Sequence, residues 1–80
     1  MNHLEAKAFL ESESSIERNI IKVAVDGEVV YVTPIHRMQR IDWTMLNTLI
    51  YRMGGEWHRE GGYWFVAAQL IEQNIQAQTR

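Results

Sequence analysis

Residues 42–66 hold all three tryptophans of the chain, Trp43, Trp57 and Trp64, with Tyr51, Tyr63, Phe65 and two glycine pairs set among them. No other stretch restricts the fold as much. Asp42 is placed to accept a hydrogen bond from the free N–H groups of a first helical turn. Trp43, Leu46, Leu49, Ile50 and Met53 then recur at helical spacing and draw one apolar stripe. Thr44, Asn47, Thr48, Tyr51 and Arg52 fall on the other side. Gly54 stands where the residue after a helix turns left-handed, a conformation that costs glycine least, and Gly55 frees the chain to reverse.

A tight hairpin follows, with strands predicted over 56–59 and 63–66 around Glu60, Gly61 and Gly62. A two-residue loop at Glu60-Gly61 puts Trp57 opposite Trp64, whereas a three-residue loop puts Trp57 opposite Phe65. In both registers large rings meet across the strands, and each such pair is worth about 0.5–1 kcal/mol. The rings are either core or, in part, an exposed binding anchor.

Upstream, Asp26-Gly27 separates two β-branched runs over 20–25 and 28–33, the strongest short-range hairpin signal. A type I′ turn on those two residues pairs Val23 with Val30 and Ile21 with Val32, and sends all four to the core. Pro34 ends the second run, having no N–H for a ladder. Residues 35–41 link the hairpin to the Asp42 helix and bring His36, Arg37 and Arg40 close together, with Ile35 and Ile41 tucked inward if the link is an ordinary connection. A last helix runs over 67–78 on Ala67, Leu70, Ile71 and Ile75, and the final residues fray. Near the start, residues 3–15 read as a thinly apolar helix docking through Leu4, Phe9 and Leu10, with 12–19 a serine-rich loop.

The expected fold is α+β: a small antiparallel sheet from two β-hairpins, in β-β-α-β-β-α order. Two amphipathic helices cover one face, and a weaker N-terminal helix covers an edge or mediates a contact. Ile21, Val23, Val30, Val32, Leu46, Ile50, Phe65, Ile71 and Ile75 are the expected core. Eighty residues make a single small domain, 1–80, with one core. A domain of this size is marginal alone, and homodimerisation would relieve that.

Composition narrows the function classes. With no cysteine there is neither a disulfide framework nor a thiolate metal site, which suits a reducing cytoplasm. No apolar run approaches the roughly 20 residues of a membrane span, and the start, at Met1, lacks a signal-peptide core, so a complete cytoplasmic gene product without membrane partners is expected. The net charge of −2 argues against nucleic-acid binding by bulk electrostatics. Residues 35–66 are nevertheless mildly basic, with Arg37, Arg40, Arg52 and Arg59 against Asp42, Glu56 and Glu60.

No catalytic set stands out. His36 and His58 lack the spacing of a helical metal pair, and Glu56 and His58 are expected on opposite faces of one strand, which would spoil an acid–base pair. The glycine pairs sit in turns, without a phosphate-binding fingerprint around them. An enzyme, a cofactor and a metal are therefore not expected. Residues 46–70, through Trp57, Arg59, Trp64 and Phe65, resemble the aromatic hairpin unit of HARP domains, which accompany DNA-annealing helicases. The sequence departs from that pattern at Gly61-Gly62, where lysines are usual, and in placing Trp64 and Phe65 side by side.

The expected function is a non-catalytic protein-binding module, an inhibitor or adaptor of the kind encoded by phages and mobile elements, acting on a host protein or complex. Its candidate binding residues are His36, Arg37, Arg40, Trp57, His58, Arg59 and Tyr63, because arginine and aromatic side chains dominate interface hot spots. The alternative is a weak single-stranded nucleic-acid binder that stacks bases on Trp57, Tyr63 or Tyr31 beside the arginines.

Overall fold

Period-two alternation in the strands and helical spacing between them produce seven elements. The structure, a computed structural model, describes residues 1–35 and 37–78. His36, Thr79 and Arg80 lie outside the described residues, and with them the expected fraying at the last two positions. In chain order the elements are α1 (His3–Ser14), β1 (Ile21–Asp26), β2 (Val29–Pro34), α2 (Arg40–Arg52), β3 (Glu56–His58), β4 (Tyr63–Ala67) and α3 (Ala68–Gln78). The fold is α+β, with a four-stranded antiparallel sheet in the order β1-β2-β4-β3. The two hairpins join through β2 and β4, so those strands are central and β1 and β3 form the edges.

Successive side chains of a strand point to opposite faces. On one face lie the rows Val23–Val32–Trp64–Trp57 and Val25–Val30–Val66. They join Ala6, Phe9 and Leu10 of α1, Leu46 and Ile50 of α2, and Ala68 and Ile71 of α3 in one core. On the other face the row Ala24–Tyr31–Phe65–Glu56 and the pair His58–Tyr63 contain no buried residue. The sheet is thus covered on one side and open on the other.

Several expectations change. The first hairpin turns on Gly27-Glu28 rather than Asp26-Gly27: Asp26 pairs with Val29, and Val23 faces Val32. Of the two central residues only Gly27 has positive φ, at +61°, as a type II′ turn requires, so Glu28 escapes the left-handed strain that a type I′ turn would impose. The slide is two residues, one full strand period, so Ile21, Val23, Val30 and Val32 remain together in the core. In the second hairpin Trp57 faces Trp64, the register of the shorter loop, but the ladder ends at His58↔Tyr63, leaving Arg59 in the turn. Phe65 is not core: Trp64 and Val66 take the covered face, and alternation sends Phe65 to the open one.

The helices differ too. α2 begins at Arg40, with Gln39 at the N-cap and no side-chain capping bond; Asp42 lies inside the first turn, where its charge still opposes the helix dipole. Ile35 and Ile41 are exposed, and Met38 packs on the core in their stead. α1 is more than a weak edge cover. Asn2 caps it by accepting from the Glu5 N–H at 2.9 Å, and Ala6 and Leu10 are fully buried, while Leu4 is 66% exposed. Ile16, in the segment read as a polar loop, is buried as well. Ala67 closes β4, so the buried alanine at the start of α3 is Ala68, whose N–H donates to Glu28 O at 2.8 Å.

The glycine stop after α2 is a Schellman motif: Gly55 N–H donates to Ile50 O at 2.9 Å and Gly54 N–H to Tyr51 O at 3.0 Å, with Gly54 at φ +88°. Gly55 also lets α2 lie against β4. A Cβ there would stand 2.5 Å from Ile50 Cγ2, 2.6 Å from Phe65 O and 2.8 Å from Val66 Cβ. Two of those atoms are backbone or the root of a side chain and cannot swing away. Gly55→Ala is therefore expected to destabilise the fold by about 1–3 kcal/mol, as overpacking does; a denaturant midpoint equal to that of the wild type would refute this packing.

Candidate functional site

Aromatic side chains gather on both faces of the sheet, with different consequences. On the covered face Trp64 of β4 is fully buried, with its ring 4.5 Å from Trp57 of β3 and 5.5 Å from Trp43 of α2. Trp43 and Trp57 stand 5.6 Å apart, edge to face. A buried indole N–H needs an acceptor. Asn47 supplies it, receiving Trp64 Nε1–H at 3.0 Å. Asn47 is thus drawn from the expected water-facing side of α2 into a bond that ties helix to sheet.

On the open face the rings are Tyr31 of β2, Tyr63 and Phe65 of β4, and His58 of β3. Tyr31 and Phe65 sit directly opposite each other on the two central strands. Tyr31 meets Tyr63 edge to face with centroids 5.5 Å apart, and His58 lies 4.9 Å from Tyr63. All four are half-buried, and the elements packed on the sheet lie on the opposite side. Gly61 of the hairpin turn shapes one end of this cluster. A Cβ there would run into the Tyr63 ring and stand 2.8 Å from His58 Cδ2, so the bare glycine is what lets both rings fold over the turn. Lys22, Asp26 and Glu56 share the open face, and Glu56 lies there with His58 rather than opposite to it as expected, because residues two apart in a strand point the same way. With two acids to one base, the face itself carries no net positive charge.

The expected binding residues are divided by this architecture. His58 and Tyr63 are brought together, with Arg59 exposed beside them in the turn. Trp57 is turned away onto the covered face among the tryptophans. Arg37 is exposed between β2 and α2, and Arg40 is exposed at the first position of α2. Arg40 and Arg52 occupy opposite ends of that helix, about 18 Å apart at 1.5 Å per residue, so the arginines do not form one patch. His36 lies outside the described residues. Phe65 was missed as a surface residue, although strict alternation in Tyr63-Trp64-Phe65-Val66 permits only one of Trp64 and Phe65 to be core. Among the described residues no group of three or more His, Asp or Glu is placed to hold a metal ion, and no helix is long and apolar enough to cross a membrane.

No family model matches the chain, and neither a curated protein nor a solved structure does. The residues that carry the local likeness to HARP hairpins are split between the faces, Trp57 and Trp64 on the covered side and Phe65 on the open one.

The Trp64–Asn47 bond gives a direct expectation. Asn47→Leu leaves a buried donor unsatisfied and should cost about 1–3 kcal/mol in a denaturant titration. Asn47→Asp keeps an acceptor at the same place and should recover most of that loss; equal loss in both variants would mean that the bond contributes nothing.

Proposed function

We propose that the chain is a non-catalytic protein-binding module, an inhibitor or adaptor in type, that docks a protein partner on the open face of its sheet. The observation that supports this most is the uncovered aromatic row on the central strands, Tyr31 opposite Phe65, extended by Tyr63 and His58. Half-buried rings held by a strand ladder offer apolar area with little rotamer entropy left to lose on binding, and tyrosine adds a hydroxyl for orientation. Arg59 at the rim adds a planar fork for a carboxylate. Arg37 and Arg40 flank the start of α2 as secondary rim contacts.

A protein partner is favoured over nucleic acid by charge. A phosphate backbone needs a basic groove beside the stacking rings. Here the ring face carries Asp26 and Glu56 against Lys22, and Arg40 and Arg52 are spread along α2. Single-stranded nucleic acid remains the second reading, because paired rings on central strands can also stack bases.

The test is recovery of a partner on the tagged chain, with and without nuclease, followed by titration. Phe65→Thr and Tyr63→Thr keep strand-favouring residues and should each weaken binding by about 1–2 kcal/mol. Arg37→Ala, Arg40→Ala and Arg59→Ala should leave the melting temperature nearly unchanged, with Arg59→Ala weakening binding most. A partner that survives nuclease and binds with little salt dependence fits the protein reading. Loss after nuclease, with affinity falling steeply as salt rises, supports the nucleic-acid reading. Wild-type binding in both threonine variants would remove this face as the site.

A further inference from the structure

β1 is an edge strand of six residues without proline, and no strand among the described residues pairs with its outer side. Such an edge presents unpaired N–H and C=O groups to any extended chain. The hairpin determines which groups face outward. Ile35 N–H donates to Ile20 O at 2.9 Å, which makes this a hydrogen-bonded pair of the β1–β2 ladder. Bonded pairs alternate along an antiparallel ladder. Lys22 and Ala24 therefore bond inward to β2, while Ile21, Val23 and Val25 turn their N–H and C=O groups outward. An open trough runs alongside, walled by β1, by His3 and Lys7 of α1, and by Ile35.

We propose that two copies of the chain join edge to edge through β1, antiparallel and centred on Ala24, into one eight-stranded sheet. Outward groups must meet outward groups, so Val23 bonds to the second copy's Val25, and Lys22 stands opposite the second copy's Asp26. Both charged side chains are exposed and lie on the same face. A lone lysine on an edge strand discourages pairing. Asp26, one strand period beyond Ala24, converts that charge into a self-complementary one, and the twofold axis makes the contact twice. Centring on Val23 instead would set Lys22 against Ala24, and centring on Val25 would carry the pairing into the Gly27 turn. Ala24 at the axis occupies a non-bonded pair, where side chains come closest, and its small size permits that approach. The axis is perpendicular to the sheet, so the two open faces lie on one side as a continuous surface. The pairing does not depend on what binds there.

The experiment is sedimentation equilibrium of the full chain over a concentration series. Lys22→Glu and Asp26→Lys each place like charges opposite and should weaken the dimer about tenfold or more. The double variant Lys22→Glu/Asp26→Lys reverses the pair and should return to within about threefold of wild type. Because Asp26 adjoins the turn, amide exchange of the wild-type chain gives an independent reading. Val23 and Val25 amides should gain protection only at concentrations where dimers form, and Lys22 and Ala24 amides should be protected throughout. A wild type that stays monomeric to about 1 mM, single variants that associate like wild type, a double variant no better than the singles, or Val23 and Val25 protection independent of concentration would each overturn the pairing.

Discussion

The indole of Trp64 is fully buried, and its N–H must still have an acceptor. Meeting that demand from Asn47 of α2 sets helix and sheet in one relation. Gly55 then allows the helix end to close on Ile50, Val66 and the Phe65 carbonyl, a space no side chain could share. Once Trp64 is inside, Val66 follows it inward, and Tyr63 and Phe65 have only the opposite face left to them. The open aromatic surface is thus a consequence of how the core is filled. A change in Trp64 or Asn47 should disturb the candidate site without touching it.

Much of this was legible in the residues. Apolar spacing located α2 and α3, and the Gly54-Gly55 stop was visible because only glycine suits that pair of constraints. The first hairpin was visible as well, but its register was not. Turn type depends on which residue takes positive φ, and Gly27 serves equally as second residue of one turn or first of another. The core survived that slide because two residues are one strand period. The start of α2 was misplaced because Asp42 favours a helix N-terminus both as a cap and from within the first turn.

What the residues concealed has a common origin in pairing across the sheet. A run such as Tyr63-Trp64-Phe65-Val66 is apolar on both sides, so hydrophobicity alone does not say which side is covered. α1 looked thin because its buried set relies on Ala6 and a short run at Phe9-Leu10, and Ile16 stands alone among polar neighbours. The candidate site was half legible for the same reason. Of the candidate residues, His58 and Tyr63 fall together on the open face and Trp57 falls on the covered one, while Tyr31 opposite Phe65 emerges only when β2 and β4 lie side by side.

The two faces of the sheet therefore differ: one side holds three helices and the tryptophans, and the other leaves Tyr31 and Phe65 uncovered on the central strands. The most direct test uses a soluble paramagnetic agent and the aromatic NMR signals of the full chain. Ring protons of Tyr31, Tyr63 and Phe65 should broaden strongly, while the Trp64 indole N–H signal persists. Equal protection of Phe65 and Trp64, or broadening of the Trp64 indole signal along with the tyrosines, would contradict the assignment of faces on which the account rests.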